Sequence, residues 1–323
     1  MTDNSELLNQ TEQLRLAAEH LAANDIKSAH DIILPLLNSA RDLPGLMTLY
    51  ARLWHKQGCQ LRNAGDLGKA IANFSYACET DRNLDAARED LEACLAEWER
   101  TYKEPLKHAH GWWMPVTDLT FSSDIPLFAK HRDRHVFEMQ HISFMVQSCA
   151  KRRRAIDIGG HIGSWSWVLA DHFQAVEAFE PNPLMQACFR RNVEQPNVTL
   201  HPVALGKEEG RFGFVAGASN TGISHIAVVG EKVTNEVEVR RLDSYGFTEV
   251  DFIKLDAEGF EAFIIAGGTE TLAANRPVIF MEVNGCAEHY GLAEHSAIQA
   301  LEALGAKVTA RSADGNYVMR WND

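Results

Sequence analysis

Apolar side chains in the first hundred residues recur at intervals of three and four, in a segment dominated by Ala, Leu, Glu and Arg. This spacing gathers the apolar positions on one face of a helix, so it predicts helices from residue 5 to about residue 102. From residue 107, a mixture of Trp, Pro, Gly and short apolar pieces indicates an irregular connector, followed by a helix at about residues 136–150. The chain is therefore predicted to divide into a helical domain at residues 1–104, a connector with a lead-in helix at 105–150, and a second domain at 151–323.

Beyond residue 150, short apolar and β-branched runs alternate with stretches of helical spacing, one of them at residues 259–272. The runs that predict strands lie at residues 155–158, 175–179, 198–204, 250–255, 278–283, 307–310 and 317–321. Strands separated by helices are typical of a parallel sheet whose ligands sit at the carboxyl ends of the strands. The final pair of strands is accommodated most simply by an antiparallel last strand. The predicted fold class is α/β: a Rossmann-like, doubly wound, mostly parallel sheet preceded by an all-α domain.

The composition narrows the class of partner. Hydrophobic residues make up 46% of the 323 residues, and 44 Asp and Glu against 31 Lys and Arg give a formal net charge of -13. Because such a surface repels polyanions, nucleic acid and anionic membranes are not expected as partners. No apolar run reaches the length of about 18 residues that predicts a membrane span. The six cysteines form no C-x-x-C pair, which is typical of reduced thiols. We expect a cytoplasmic protein that acts on a small molecule.

A glycine-rich turn marks the predicted cofactor site. The first strand runs into Asp157-Ile-Gly-Gly-His-Ile-Gly163, where Gly159 and Gly163 let a ligand approach the backbone just before a helix begins. Asp157 would repel the pyrophosphate of a dinucleotide but favours the ammonium and sulfonium of S-adenosylmethionine. The spacing also departs from the G-x-G-x-x-G of nicotinamide oxidoreductases, which are the disfavoured alternative. Glu180 ends the second strand, where a carboxylate can accept both ribose hydroxyls, so we expect S-adenosylmethionine as the cofactor.

A series of sequence blocks in the second domain carries a family resemblance. The blocks, in chain order, are AIDIGGHIGSWSWVLA, AFEPNP, Asn192 in RRNVEQPNV, VALG at 203–206, NTGIS at 220–224, DFIKLDAEGFEAFIIAGG and RPVIFMEVNG. Residues 154–285 thereby resemble the FkbM family of S-adenosylmethionine-dependent O-methyltransferases, most specifically through the K-x-D-x-E-G-x-E pattern at 254–261. The resemblance implies a methyltransferase of EC class 2.1.1. It extends the predicted cofactor site to Gly160, His161, Asn182, Ala204 and Asp256, although the family more often has Asn at position 161.

The helical domain at residues 1–104 carries a second resemblance. Trp54, Gly58, Ala70, Phe74 and Ala77 stand where a tetratricopeptide repeat has its W, G, A, F and A. This resemblance implies a two-helix hairpin in which small residues let the helices approach closely. The helical domain could be a platform that binds a protein partner, or it could be a cap that packs against the rest of the chain. The sequence leaves both interpretations open.

Two acids after the fourth strand are the predicted reaction centre. An aliphatic hydroxyl must lose its proton to a general base, or to a base assisted by a metal, before it accepts a methyl group. Asp256 and Glu258 follow residues 250–255 and therefore lie at the switch point of the sheet. We predict Glu258 as the base and Asp256 as the residue that holds cofactor or acceptor, with His225 as a third catalytic candidate. Together with Glu282 and Asn284, the two acids could instead bind a hard divalent cation, but the spacing is not diagnostic and we assign no metal ligand.

These observations predict an S-adenosylmethionine-dependent O-methyltransferase. Its acceptor is expected to be a hydroxyl of a sugar, a glycan or another polyhydroxylated small molecule, a substrate class that the family resemblance alone implies. The alternative is a partner-recruiting helical-repeat protein whose cofactor domain is structural. The density of acids at the end of the fourth strand favours the enzyme.

Overall fold

The computed structural model describes residues 4–312 and 315–321. The chain folds into two compact units whose segments interleave along the sequence. The helical unit comprises Met1–Lys107, Pro115–Phe121 and Ala218–Asn220, and the sheet unit comprises His108–Met114, Ser122–Gly217 and Thr221–Asp323. The predicted division into residues 1–104, 105–150 and 151–323 differs in kind from these interleaved units and stays a prediction.

Five helices form most of the helical unit and confirm the helices expected up to residue 102. They are α1 (Asn4–Ala22), α2 (Ile26–Ser39), α3 (Leu46–Asn63), α4 (Leu67–Thr80) and α5 (Asp85–Tyr102). Asp25 and Asp66 immediately precede α2 and α4 as N-caps, and each carboxylate accepts the backbone N–H three residues on at 3.1 Å. These caps satisfy N–H groups that have no partner within the helix.

Helices α3 and α4 pack closely against each other. A Cβ atom at Gly58 would lie 2.6 Å from the Phe74 ring, so only glycine fits at this contact. The Trp54 ring meets the Tyr76 ring edge-on at a centroid distance of 5.0 Å. This close approach agrees with the small and aromatic positions of the predicted hairpin, while its tetratricopeptide character stays a prediction.

A distant segment of the chain belongs to the helical unit. The Glu79 carboxylate on α4 accepts the backbone N–H groups of Ala218 at 2.9 Å and Ser219 at 3.0 Å, and also the Ser219 hydroxyl. The Ser219 carbonyl in turn accepts the backbone N–H of Leu119 at 2.8 Å. Residues 218–220 are therefore held by hydrogen bonds to two other parts of the same unit.

Short elements occupy the predicted connector. They are β1 (Leu106–Ala109), β2 (Trp112–Pro115), α6 (Thr120–Asp124), β3 (Lys130–His131), β4 (Arg134–His135) and α7 (Met139–Ser148). The helix predicted at 136–150 is confirmed as α7. It begins later than predicted because Glu138 has φ +56°, a left-handed conformation that cannot start a helix.

The rest of the sheet unit alternates strands and helices. In chain order these are β5 (Arg154–Ile158), α8 (Ser164–Leu169), β6 (Ala175–Phe179), α9 (Pro183–Asn192), β7 (Val198–His201), β8 (Ala204–Leu205), β9 (Gly210–Val215), β10 (His225–Ile226), β11 (Asn235–Arg240), β12 (Val250–Leu255), α10 (Glu261–Ala266), α11 (Thr269–Asn275), β13 (Val278–Glu282), α12 (Ser296–Ala303), β14 (Ala306–Arg311) and β15 (Asn316–Trp321).

A seven-stranded sheet positions the candidate site. Its strand order is β14-β15-β13-β12-β5-β6-β7, with parallel pairing from β13 through to β7 and with β15 antiparallel to both of its neighbours. Ile156, Ile253 and Met281 on adjacent strands are fully buried, as apolar runs in a covered parallel sheet require. The mostly parallel, doubly wound α/β fold and its antiparallel last strand are confirmed. The carboxyl ends of β5, β6, β12 and β13 lie along one edge.

A second, four-stranded sheet was not predicted. Its order is β10-β9-β11-β8, and β8 pairs parallel with β11. The single strand predicted at 198–204 is wrong at its end, because β7 stops at His201 and Ala204 begins β8. Pro202 separates the two strands, since a residue without an N–H cannot continue the ladder.

The helix predicted at 259–272 is also wrong in its bounds. Glu258 and Gly259 have φ of +51° and +93°, so α10 begins only at Glu261. A break then separates α10 from α11 at Gly267, where a Cβ atom would lie 2.0 Å from the carbonyl oxygen of Gly206. The left-handed turn leaves Glu258 outside the helix, next to the end of β12.

Within residues 4–312 and 315–321, no helix combines the length and the apolar character that crossing a membrane demands. The expected cytoplasmic location stays a prediction.

Candidate functional site

The loop after β5 provides a cradle of backbone. Gly159 has φ +78°, and a Cβ atom there would lie 2.0 Å from the carbonyl oxygen of Asp256. Gly163 has φ +94°, and a Cβ atom there would lie 2.5 Å from the Val193 side chain. Both positions therefore require glycine for conformation and for space. The loop leads directly into α8, whose first N–H groups face the same edge of the sheet.

Glu180, at the end of β6, is fixed by two backbone donors. Its Oε2 accepts the N–H of His161 and its Oε1 accepts the N–H of Asn182, both at 2.8 Å. The side chain is 6% exposed, and burial raises the pKa of its carboxyl to about 7. Each oxygen retains a lone pair after these bonds, so the carboxylate can accept further donors such as ribose hydroxyls.

Asp157 and Lys254 form a buried pair beneath the loop. Lys254 Nζ lies 3.7 Å from Asp157 Oδ1 and 3.1 Å from Asp256 Oδ2, and it donates to the Gly159 carbonyl oxygen at 2.7 Å. The Ser166 hydroxyl donates to Asp157 Oδ2 at 2.6 Å. Asp157 is 0% exposed, and burial raises the pKa of its carboxyl while Lys254 opposes the shift. Asp157 is inaccessible to solvent, so its geometry does not support direct contact with a cofactor. It supports an indirect role, in which Asp157 holds Lys254 and the glycine loop in place.

His161 connects the loop to residue 221. Its Nε2 lies 2.7 Å from the Thr221 hydroxyl, and its backbone has φ +50°. Burial, with the nearby Lys254 charge, lowers the pKa of His161 to about 4. The imidazole is therefore neutral at physiological pH and can offer one ring N–H as a donor.

Three carboxylates meet at the ends of β12 and β13. Asp256, Glu258 and Glu282 each offer an oxygen, and these atoms lie within 4.8 Å of one another. Burial and the Asp256 charge raise the pKa of Glu282, which shares a hydrogen bond with Asp256. Lys254 and that hydrogen bond outweigh burial and hold the pKa of Asp256 below its usual range. Asp256 and Glu258 thus lie together just beyond the end of β12, as expected, while their catalytic roles stay predictions.

Glu258 is the candidate base of this group whose carboxylate accepts hydrogen bonds from two side chains. Its Oε2 accepts from the Asn284 amide at 3.3 Å and from the Cys286 thiol at 3.5 Å. Burial, followed by repulsion from Asp256, raises the pKa of Glu258 to about 7. Glu261 has a different surrounding, since its Oε1 accepts the N–H groups of Ala257 at 2.8 Å and Gly259 at 3.2 Å. Among the residues that the structure describes, the donors to Glu258 are side chains, whereas Glu261 accepts backbone N–H groups and holds the turn.

The remaining predicted cofactor residues have local structural contacts. Asn182 caps α9 by accepting the Leu184 N–H at 3.0 Å. The Gly160 N–H donates to the Phe179 carbonyl oxygen at 2.9 Å, and Ala204 is buried in β8. Their contacts with a cofactor stay predictions.

His225 has partners other than the three carboxylates named above. Its Nε2 lies 3.0 Å from Glu231 Oε1, and its Nδ1 lies 2.9 Å from the Ile223 carbonyl oxygen. Both ring nitrogens are thus engaged. The catalytic role predicted for His225 stays a prediction, and its geometry favours Glu258 as the base.

The charge balance decides which ligands fit this edge of the sheet. Lys254 is the cation at the centre of the group, against acids that include Asp157, Asp256 and Glu258. An excess of carboxylates favours a cationic ligand over a polyphosphate. The same carboxylates are oxygen ligands of the kind that a hard divalent cation takes.

Several residues of the site were not predicted from sequence. Thr221 contacts His161 across 60 residues of chain. Glu138 Oε2 accepts the Trp165 indole N–H at 2.9 Å. The Asn192 amide donates to the Ile162 and Trp113 carbonyl oxygens, both at 2.9 Å. Asn192 and Thr221 lie in blocks that carry the family resemblance, so a signal for both existed, whereas hydrophobic spacing gives none for Glu138.

Residues 157–308 match the family model described as the methyltransferase FkbM domain. The matched range contains the glycine loop, Glu180, Lys254 and the three carboxylates. The match supports a methyltransferase, as the sequence predicted. None of the curated proteins compared matches the chain.

Solved structures give weaker likenesses. A precorrin-6y C5,15-methyltransferase from Geobacter metallireducens GS-15 is 18% identical, covering 62% of this chain and 96% of that chain, with a TM-score of 0.37. A methyltransferase FkbM from Methylobacillus flagellatus KT is 14% identical, covering 82% of this chain and 60% of that chain, also with a TM-score of 0.37. A TehB-like SAM-dependent methyltransferase from Corynebacterium glutamicum is 9% identical, covering 56% and 87%, with a TM-score of 0.32. The family model carries the assignment to methyl transfer.

Proposed function

We propose that this protein is an S-adenosylmethionine-dependent O-methyltransferase whose acceptor is a hydroxyl of a sugar, a glycan or another polyhydroxylated small molecule. The observation that carries the proposal is the cluster of Asp256, Glu258 and Glu282, in which Glu258 has a pKa of about 7. A base with that pKa is matched to removing a hydroxyl proton near neutral pH. The match of residues 157–308 to a methyltransferase domain supports the same class of reaction.

The chemistry of the donor set fits S-adenosylmethionine. Glu180 presents a carboxylate that two backbone N–H groups orient, and this carboxylate would hold the ribose hydroxyls. Gly159 and Gly163 allow the loop to turn closely against Asp256 and Val193, which brings its backbone to the edge of the sheet. The excess of carboxylates beside Lys254 suits a ligand that carries an ammonium and a sulfonium. The neutral His161 adds no positive charge beside these carboxylates.

The cofactor, when bound, supplies an electrophilic methyl group, so the protein's own task is to position and deprotonate the acceptor. The Glu258 carboxylate would accept the proton of the acceptor hydroxyl as the hydroxyl oxygen takes the methyl group, and the proton would then pass to water. Lys254 holds Asp256 ionised at 3.1 Å. The Asp256 carboxylate can thereby accept a hydrogen bond from a second hydroxyl of the acceptor and orient it.

Calorimetric titration tests the cofactor half of this proposal. The protein should bind S-adenosylmethionine and S-adenosylhomocysteine and should not bind NAD. Binding of NAD at micromolar strength, with no heat from S-adenosylhomocysteine, would overturn the proposed cofactor.

Incubation with isotopically labelled S-adenosylmethionine tests the acceptor half. Candidate sugars and glycan extracts are supplied as acceptors, and mass spectrometry locates the label. Label should appear on a hydroxyl oxygen of a polyhydroxylated molecule. Label found on nitrogen or carbon instead, or on nucleic acid, would contradict the proposed acceptor class while leaving the cofactor assignment intact.

A further inference from the structure

A second cluster of ligating side chains joins three separate segments of the sheet unit. His225 begins β10, Glu231 lies in the loop between β10 and β11, and His289 lies in the 3-10 turn Cys286–Tyr290. The nitrogen and oxygen atoms that these three residues offer lie within 4.8 Å of one another. The donor set of two imidazoles and one carboxylate differs in kind from the all-oxygen set of Asp256, Glu258 and Glu282.

The distances suit a shared cation. His225 Nε2 lies 3.0 Å from Glu231 Oε1, and His289 Nε2 lies 3.3 Å from Glu231 Oε2. Ligands about 2.0–2.1 Å from a tetrahedral Zn²⁺ lie roughly 3.3 Å from one another. A direct charge-assisted hydrogen bond between imidazolium and carboxylate is usually shorter, about 2.7–2.9 Å. The two imidazole rings stand nearly perpendicular, at 82° with centroids 4.9 Å apart, so their Nε2 atoms approach the carboxylate from different directions.

The surroundings of the cluster provide an independent indication. His225 Nδ1 lies 2.9 Å from the Ile223 carbonyl oxygen, which can only accept a hydrogen bond, so Nδ1 carries the proton. With a proton on Nδ1, Nε2 is the ring nitrogen left to ligate a metal, and it is the atom that faces Glu231. Glu231 Oε2 is itself held by the backbone N–H of Val228 at 3.1 Å. A ring N–H donated to a backbone carbonyl is the usual support of a metal-binding histidine.

We propose that His225, Glu231 and His289 bind a divalent transition metal, with Zn²⁺ as the ion that this donor set suits best. Imidazole nitrogen disfavours Mg²⁺ and Ca²⁺, which take oxygen ligands. Three protein ligands leave a fourth position for water. The metal would fasten the β10–β11 loop to the turn that carries Cys286. This proposal does not rest on the methyl-transfer reaction.

A comparable cluster in the helical unit lacks these properties. His55, Cys59 and Asp90 also offer ligating atoms within 4.8 Å of one another. However, Arg62 Nη1 already occupies Asp90 Oδ1 at 3.0 Å, and its positive charge would repel an incoming cation. This cluster therefore serves as an internal control rather than as a second site.

Calorimetric titration of the full chain with Zn²⁺ tests the proposal. The wild-type protein should bind one Zn²⁺ per chain at this cluster. H289A should weaken that binding by more than about 100-fold, because loss of an outer-shell partner alone costs roughly 10- to 100-fold in metal affinity. His289 is 38% exposed, so H289A is expected to fold, and circular dichroism verifies that it does. E231Q, which keeps the size of the side chain, should have a similar effect.

Matched variants separate this cluster from the other groups that bind Zn²⁺. H30A removes a partly exposed histidine whose Nδ1 lies 3.9 Å from Asp31 Oδ1. C59S disables the cluster in the helical unit, and C286S removes the thiol near Glu258. All three should bind Zn²⁺ as the wild type does. Affinity unchanged in H289A and E231Q, or lost in C59S or C286S, would overturn the proposal.

Thermal unfolding gives a second readout that does not depend on heats of binding. A metal that binds the folded state alone raises the unfolding temperature. Added Zn²⁺ should raise the unfolding temperature of the wild type and H30A but not that of folded E231Q. An equal rise in all three proteins would show that the ion binds elsewhere and would contradict the proposal.

Discussion

Replacing Glu258 by Gln removes the proposed proton acceptor with little change in shape. Gln can still meet the Asn284 amide and the Cys286 thiol, which lie 3.3 Å and 3.5 Å from Glu258 Oε2. The substitution also removes one of the charges that repel Asp256. We therefore expect E258Q to fold as the wild type does and to bind S-adenosylhomocysteine with nearly unchanged affinity.

The expected loss of turnover follows from the role of a positioned base. Such a base contributes about 10²- to 10⁴-fold to the rate, so kcat should fall by roughly that factor. The corresponding rise of the activation barrier is about 3–5 kcal/mol. KM for the acceptor should change little, because Asp256 is present to orient it.

The pKa of Glu258 also predicts how the rate of methyl transfer depends on pH. Glu258 must be deprotonated to act, and its pKa is about 7. The wild-type rate should therefore fall below neutral pH, approaching a tenfold loss for each pH unit, since only about one tenth of the groups remain deprotonated one unit below the pKa. In E258Q this limb of the profile should disappear.

E261Q is the matched control. Glu261 also has a pKa of about 7, but its carboxylate accepts backbone N–H groups of the turn. E261Q should lower the unfolding temperature and leave the acid limb of the rate profile in place. The assay measures labelled methyl transfer at a series of pH values, with EDTA and with added Mg²⁺. Inhibition by EDTA that Mg²⁺ reverses would instead assign the acids to a metal, and turnover indifferent both to E258Q and to chelation would refute the reasoning.

Three further substitutions address cofactor binding and stability. E180A should weaken binding of S-adenosylhomocysteine by about 1–3 kcal/mol, because ribose hydroxyls lose their acceptor, whereas E177Q on the same strand should not change the affinity measured by calorimetry. G159A should abolish cofactor binding and lower the unfolding temperature far more than G285A does. Both glycines have positive φ, but a Cβ at Gly159 would lie 2.0 Å from a carbonyl oxygen, whereas a Cβ at Gly285 would have no atom within 4 Å. Equal effects of the two substitutions would contradict this steric argument. K254M should lower the free energy of unfolding by about 3–5 kcal/mol in denaturant titrations, because it leaves a buried aspartate without its cation, and a loss below about 1 kcal/mol would show that the pair is not stabilised as described.

The sequence predicted the central sheet well because buried parallel strands are continuous apolar runs. The strand predicted at 250–255 is observed as β12, Val250–Leu255, and two acids were expected beside its end. Parallel strands align their carboxyl ends at one edge, so Glu282 at the end of β13 joins Asp256 and Glu258 there. The placement of these acids follows from the parallel arrangement of the strands.

Other parts of the structure have no comparable signal in the sequence. Strand β11, Asn235–Arg240, alternates polar and apolar residues over only six positions and pairs with the two-residue strand β8. Glu258 has φ +51°, a conformation that non-glycine residues seldom adopt. Because of this turn, α10 begins at Glu261 and not at the predicted residue 259. The contact of His161 with Thr221 spans 60 residues and depends on tertiary packing alone.

The order in which the chain is synthesised has a consequence for the helical unit. Glu79 on α4 binds the backbone of Ala218 and Ser219, which belong to the same unit. At roughly 5–20 residues per second, translation delivers this segment on the order of ten seconds after the five helices are complete. During that interval the Glu79 carboxylate faces solvent, and the five helices must persist as a nascent intermediate without the segment. The Glu79 hydrogen bonds can therefore form only after β5, β6 and β7 have been translated, while β12, β13, β14 and β15 of the seven-stranded sheet are still to come.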